Sequence, residues 1–468
     1  MRNKPISSTI RLFSTIRLVV FASALLFLSA CGTVKPVGVT SSDVQISTGP
    51  TALPTWTPVP TPEPGSLYVD VAQALGPISP FVTGANYGPW GTVPVDLVTQ
   101  AEEASIGYLK FPGGNYGDQN NLTVLDIDRF IKFARSMNSE PSISVRLEGG
   151  SPEAAAEIVR YTNIEKGYAV RYWSIGNEPN LFDASYDTGR YNQDWRAFAE
   201  AMRAVDPSIL LVGPDISQYT ADSEANPKDG QGVDWMQAFL TANGDLVDVV
   251  SIHRYPFPTS RNAPPPSISD LAENSQEWDA IIPYLREQIR EYTGRDLPVA
   301  VTEVNSNWSH AAGGEATPDS YYNAVWWADV LGRLIRQQVD IVAFFSLQSS
   351  SQVGAYGLLE RYDVRPVYYV YPIYKEFGRT LLYASSDQPG LSIYASRRDD
   401  GAVTLVLVNL SMDERQANLK FDNLTPGSTA EIWQLDPTLD YKKVGEMGLK
   451  NEQAVLLPGQ SVSFYLIK

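Results

Sequence analysis

Two glutamates stand directly beyond apolar runs: Glu178 in Trp173-Ser174-Ile175-Gly176-Asn177-Glu178-Pro179, and Glu303 in Val299-Ala300-Val301-Thr302-Glu303-Val304-Asn305. A charge at the end of a buried strand is costly unless it meets polar groups or a substrate. A third strand end, Ser251-Ile252-His253-Arg254-Tyr255-Pro256, supplies an imidazole and a phenol, and strand alternation puts His253 and Tyr255 on one face. The same alternation groups Val299, Val301 and Glu303, so Glu303 is expected to point with them toward the core. Two carboxylates converging from different strands, with His and Tyr donors beside them, are what cleavage of a glycosidic bond requires. One acid must protonate a poor leaving group; the other must stay ionised to attack or stabilise the anomeric carbon. On this reading Tyr255 holds Glu303 ionised while Glu178 keeps its proton near the leaving oxygen.

Such a pair needs strands that end side by side. Candidate strands are Val82 to Ala85, Tyr108 to Phe111, Ser142 to Val145, Tyr172 to Ile175, Leu210 to Val212, Val247 to Ile252, Val299 to Thr302 and Ile341 to Phe345. Helical patterns lie between them at Pro94 to Ala104, Ile127 to Met137, Pro152 to Tyr161, Trp195 to Val205, Val233 to Ala242, Ser275 to Tyr292 and Tyr321 to Gln337, and an eighth fits Val367 to Phe377. Ser151-Pro152 is a start signal, an N-cap followed by proline at the first helical position. Strand and helix alternating eight times predict an α/β fold, a (β/α)8 TIM barrel over about residues 67–378, whose sites lie at the carboxyl ends of the strands. A doubly wound open sheet is the structural alternative. Residues 379–468 read as short strands separated by turns and predict an appended C-terminal antiparallel β-sandwich; Leu67 to Val71, within 67–74, has the same alternation and could add a strand to it.

Asn177-Glu178-Pro179 after the fourth barrel strand, with Glu303 after the seventh, resembles the pattern of clan A glycoside hydrolases, and the appended sandwich is similar to architectures of families 39, 51, 30 and 79. The resemblance implies a retaining enzyme without cofactor or metal, with Glu178 as general acid/base, Glu303 as nucleophile and Asn177 on the sugar 2-hydroxyl; His253 and Tyr255 fit the clan's strand-six residues. Phe111-Pro112-Gly113-Gly114-Asn115 is similar to a motif of family 51 arabinofuranosidases, which brings in Asn115. Where many clan members carry arginine near the end of strand two, this chain has Lys110, with Arg146 or Arg254 as substitutes; where strand eight often ends in tryptophan, it has Phe344-Phe345-Ser346. The resemblance implies arabinofuranosides, xylosides or glucuronides of plant or microbial polymers as substrates.

Trp90, Tyr116, Phe257 and Trp308 follow predicted strands and could stack on sugar faces, Trp90 and Trp308 being the leading candidates. Trp326 and Trp327 lie mid-helix, where packing explains them, and His310 reads as a loop histidine. The balance of 36 Lys+Arg against 53 Asp+Glu repels polyanions and points away from nucleic acid, toward a neutral carbohydrate partner. One Cys and two His exclude structural disulfides and leave little for a zinc site.

The first thirty residues carry Arg2, Lys4, Arg11 and Arg17 and no acid. Leu18 to Ala30 is apolar and too short to span a bilayer, and Leu28-Ser29-Ala30-Cys31-Gly32 resembles a bacterial lipoprotein signal. That resemblance implies removal of residues 1–30, lipid on Cys31 and an exported, membrane-tethered chain, with the Thr/Pro-rich segment 31–66 as a semi-rigid stalk. The rival readings are a sugar-binding lipoprotein that delivers solutes, and a barrel that keeps its glutamates but only binds glycan.

Overall fold

In the computed structural model, which describes residues 64–309, 311–349 and 356–468, eight parallel strands close a barrel in chain order. They are β2 (Gly84–Asn86), β3 (Tyr108–Phe111), β4 (Glu140–Val145), β5 (Tyr172–Ile175), β6 (Leu210–Ile216), β7 (Val249–Arg254), β8 (Val299–Val304) and β9 (Ile341–Phe344); β1 (Leu67–Pro77) precedes them and belongs to a second sheet. Helices fill the intervals, and their ends follow the local chemistry. Ser151 caps the helix Pro152–Val159 by accepting from the Ala154 amide, with proline at its start. Thr123 and Asp126 form a reciprocal capping box on Val124–Ser136.

Two registers depart from even pairing. Ile252 and His253 pair with Val301 and Glu303, and Val301 and Val304 pair with Val342 and Phe344, so β8 carries one extra residue at Thr302. Likewise Pro214 and Ile216 of β6 face consecutive residues of β7, leaving Asp215 as the extra residue, with φ of 55°. Such bulges re-aim side chains at the rims of barrels. This corrects the alternation argument for Glu303. Val299 and Val301 pack outward with the helical core, whereas Ala300 joins the barrel interior, and Glu303 turns inward because the bulge resets the alternation after Thr302.

The second sheet holds nine strands in the order β15-β14-β17-β12-β11-β10-β1-β13-β16. After β1 come β10 (Thr380–Ser386), β11 (Leu391–Arg397), β12 (Val403–Asn409), β13 (Arg415–Asp422), β14 (Thr429–Asp436), β15 (Leu439–Gly448), β16 (Glu452–Leu457) and β17 (Ser461–Ile467). It is antiparallel except where β1 runs parallel to β13. Leu67 and Val69 of β1 share one buried core with Leu405, Leu419, Leu457 and Ile467, which come from separated places in the strand order. Against the barrel, Tyr394 of β11 donates to Asp329, which also receives Arg333 from its own helix. All described residues belong to one unit, Ala52–Lys468. No helix among them is long and apolar enough to cross a membrane. The segment 1–30, Cys31 and nearly all of the stalk lie outside the described residues, as does His310.

Candidate active site

The carboxyl ends of β5, β6, β7 and β8 bring the candidate residues together. After β5 the chain turns through Gly176, whose φ is 75°; a Cβ there would lie 2.8 Å from Leu147, so the turn needs glycine. Glu178 then adopts a left-handed conformation, φ 49° and ψ 53°, uncommon for a residue with a side chain. Its amide donates to the Asp215 carbonyl at 3.1 Å. The Asn177 amide donates to Asp118 Oδ2 at 2.7 Å, and Asp118 Oδ1 accepts from the Leu147 and Glu148 amides. Asp118 thus ties the end of β5 to the loop after β4. Burial pushes its carboxyl up, and these three amides oppose that.

Glu303 accepts a 2.5 Å hydrogen bond from the Tyr255 hydroxyl on Oε1 and a 3.1 Å bond from the Gly114 amide on Oε2. Burial raises its pKa, the neighbouring Glu178 adds to the rise, and Lys110 and the Tyr255 hydrogen bond oppose it. Burial and the adjacent glutamates raise Tyr255 well above the ordinary phenol range, so it stays a donor. Glu178, His253 and Glu303 each place a ligand atom within 4.8 Å of the others. That spacing would admit a metal ion, and it also suits a pair of carboxyls that exchange protons with a substrate. Protein donors already bound to both Glu303 oxygens fit the second use.

Beneath the two glutamates lies a polar network. His253 Nδ1 is 3.1 Å from Glu178 Oε1, and its Nε2 is 3.2 Å from Lys110 Nζ. Lys110 forms an ion pair with Asp215 at 2.7 Å, both side chains being almost fully buried. Asp215 Oδ1 also accepts from the Ser251 and Thr302 hydroxyls. Burial alone would raise Asp215, but the Lys110 ammonium and the hydrogen bonds from Lys110 and Ser251 hold it below the ordinary carboxylate range. Asn177 joins in: its Oδ1 is 3.4 Å from Lys110 Nζ, and its amide nitrogen donates to Asn115 Oδ1 at 2.9 Å.

Glu178 and Glu303 open on a cleft of about 810 Å³, lined also by Gly114, Asn115, Tyr255, Trp308, Phe345 and Tyr356. Trp308 borders it with its indole N–H fixed on the Pro258 carbonyl at 2.7 Å. Trp90 packs against Phe345 and Tyr116 at centroid distances of 6.0 and 5.9 Å, and is not among the lining residues. Phe257 packs on the barrel core, and Trp326 and Trp327 are fully buried.

Neither arginine replaces the lysine. Arg146 bonds the Glu148 carbonyl and Asn121, and Arg254 sits at the rim in a bidentate pair with Glu277. Lys110 itself takes the interior position. Sequence reasoning passed over Asp215, because Gly213-Pro214 reads as a turn ending the strand, whereas β6 continues through Ile216. It also passed over Asp118, whose only signal is an acid after the Gly-Gly turn.

Residues 154–409 match Glycosyl hydrolases family 39, a span that includes Glu178, Asp215, His253 and Glu303 and excludes Lys110 and Asn115. The chain is 24% identical over 212 residues to the intracellular exo-alpha-(1->5)-L-arabinofuranosidase 1 of Bacillus subtilis, covering 36% of this chain and 40% of that protein. It is 26% identical over 273 residues to the heparanase of Rattus norvegicus, covering 52% and 46%. The chain therefore spans under half the length of these relatives. A solved structure titled as an arabinofuranosidase superposes with a TM-score of 0.70 at 16% identity, covering 86% of this chain and all of that one, which establishes likeness of fold.

Proposed function

Because this chain belongs to glycosyl hydrolases family 39, its family match taking in more than half of its residues, we propose that it is a retaining glycosidase acting by double displacement. The observation that carries this reading is the approach of Glu178 and Glu303, with carboxylate oxygens within 4.8 Å in one cleft. Retaining enzymes hold their carboxyl groups about 5–5.5 Å apart, whereas inverting ones leave roughly 6.5–9.5 Å for a water.

Glu303 attacks the anomeric carbon while Glu178 gives its proton to the leaving oxygen. The carbon–oxygen bond breaks and its electron pair stays with that oxygen, leaving a glycosyl ester on Glu303. Water then attacks the same carbon as Glu178 takes its proton, and the ester bond breaks to restore Glu303. The donors divide the roles: two hydrogen bonds favour charge on Glu303, while Glu178 receives only the His253 contact among those described. We assign the sugar 2-hydroxyl to Asn177, beside Glu178 in the chain, and its apolar face to Trp308 and Phe345, which line the cleft.

We take α-L-arabinofuranosides as the first substrates to try. The supports are the recurrence of arabinofuranosidases among the relatives and the Gly114-Asn115 loop, which touches Glu303 and Asn177. The N-terminal reading, lipid on Cys31 and an exported tethered chain, completes the proposal. Aryl arabinofuranosides, xylosides and glucuronides, with arabinan, xylan and arabinoxylan beside them, provide the test. Sugar release from one class supports the proposal; binding without release from any would replace it with a glycan-binding role.

A further inference from the structure

Lys110 and Asp215 face the interior of the barrel, 0% and 1% exposed, and neither lines the cleft. Between this pair and the two glutamates stands His253, wholly buried. The groups around its ring are Lys110 from β3, Glu178 after β5, Asp215 from β6 and Glu303 from β8, with Tyr255 held on Glu303. An ammonium has protons to give and no lone pair. At 3.2 Å from Lys110 Nζ, His253 Nε2 therefore accepts, and the neutral ring carries its proton on Nδ1, facing Glu178 Oε1 at 3.1 Å. Asp215 lies 3.7 Å from Nε2, beyond hydrogen-bond reach, and its oxygens are occupied by Lys110, Ser251 and Thr302.

We infer that Lys110 and Asp215 are positioning residues that lock His253 as the Nδ1–H tautomer, so that one oxygen of Glu178 is always held and the other carries the proton for the leaving group. The inference rests on Glu178 being the acid. It gives Lys110 a role beyond charge balance. Without its ammonium, Asp215 remains ionised with His253 Nε2 as the nearest proton source, so the ring would protonate at Nε2 and turn a bare Nδ1 toward Glu178. The Glu178 proton would then be shared with an imidazole nitrogen, a far better base than a glycosidic oxygen, and withheld from the leaving group.

The chain's two histidines make this measurable. The full chain is labelled with ¹⁵N-histidine, the second signal is removed with H310Q, and long-range proton–nitrogen spectra are recorded near neutral pH. The expected wild-type spectrum shows a protonated Nδ1 and a bare Nε2; K110M should exchange them, and K110R, which restores a donor without a lone pair, should keep the wild-type pattern. In parallel, kcat on glycosides with poor leaving groups should fall about 10²-fold in K110M, with KM and the rate on activated aryl glycosides changing much less. A wild-type ring protonated on Nε2 or on both nitrogens overturns the inference, whether or not K110M folds, as does a folded K110M with an unchanged tautomer. The spectrum does not depend on the role of Glu178, which E178Q kinetics test separately.

Discussion

The two ends of the barrel interior are built from the same strands and behave as opposites. Tyr108, Tyr172, Val212, Val249, Ala300, Ile341 and Ala343 form a buried apolar layer at the amino ends, with the rings of Tyr108 and Tyr172 meeting edge to face at 5.8 Å. A step or two along those strands the interior holds Lys110, Asp215, Ser251, His253 and Thr302. Continuous apolar packing fixes the strands at one end. At the other, buried charges persist only because each has a partner, as the Lys110–Asp215 pair does. The barrel thus separates the part that stabilises the fold from the part that holds the candidate site.

That division breaks first, if it is wrong, at Glu303. Replacement by Gln should lower kcat/KM by about 10⁴-fold or more with little change in melting temperature, since the amide oxygen still accepts from the Gly114 N–H while its NH2 group donates to the Tyr255 hydroxyl oxygen; unchanged activity would remove Glu303 from the mechanism. E178Q should cost about 10²–10⁴-fold on glycosides with poor leaving groups and much less on activated aryl glycosides; equal losses on both would remove the acid assignment. In the apolar layer the expectation reverses. I341A, at a side chain 1% exposed, should cost about 2–5 kcal/mol of stability in chemical denaturation while kcat per folded molecule holds.

The smallest effect concerns pH. Glu303 must be ionised to attack, and burial together with Glu178 raises its pKa, so the acidic limb of the rate should lie above the ordinary glutamate range, activity falling as pH drops through it. Y255F removes a donor that favours the ionised form, and should move that limb further up. A downward move would contradict the role given to Tyr255.

The barrel was legible in the sequence because each strand is a short apolar run and several helices carry their caps in the chain. Glu178 and Glu303 were legible for the same reason, as charges where an apolar run stops. Their surroundings were not. Thr302 looks like any strand residue, yet as the extra residue of β8 it both reaches Asp215 and puts Glu303 on the opposite face from Val299 and Val301. Asp215 hides behind Gly213-Pro214 in the same way. β15 shows no apolar alternation in the sequence, because Lys442, Lys443 and Glu446 fall on a mostly exposed edge strand, and charges on an edge are what keep it from pairing further. Lys110 was seen only as a departure from a pattern, since its meaning depends on residues from three other strands.

The central claim is that Glu303 forms a covalent bond to the sugar. Incubation with 2-deoxy-2-fluoro aryl glycosides of the sugar that is released, followed by peptide mass mapping, tests it most directly. The account predicts one glycosyl group per chain, on the peptide containing Glu303 and absent in E303Q. A glycosyl group on another residue, or product released with inverted anomeric configuration, would contradict it.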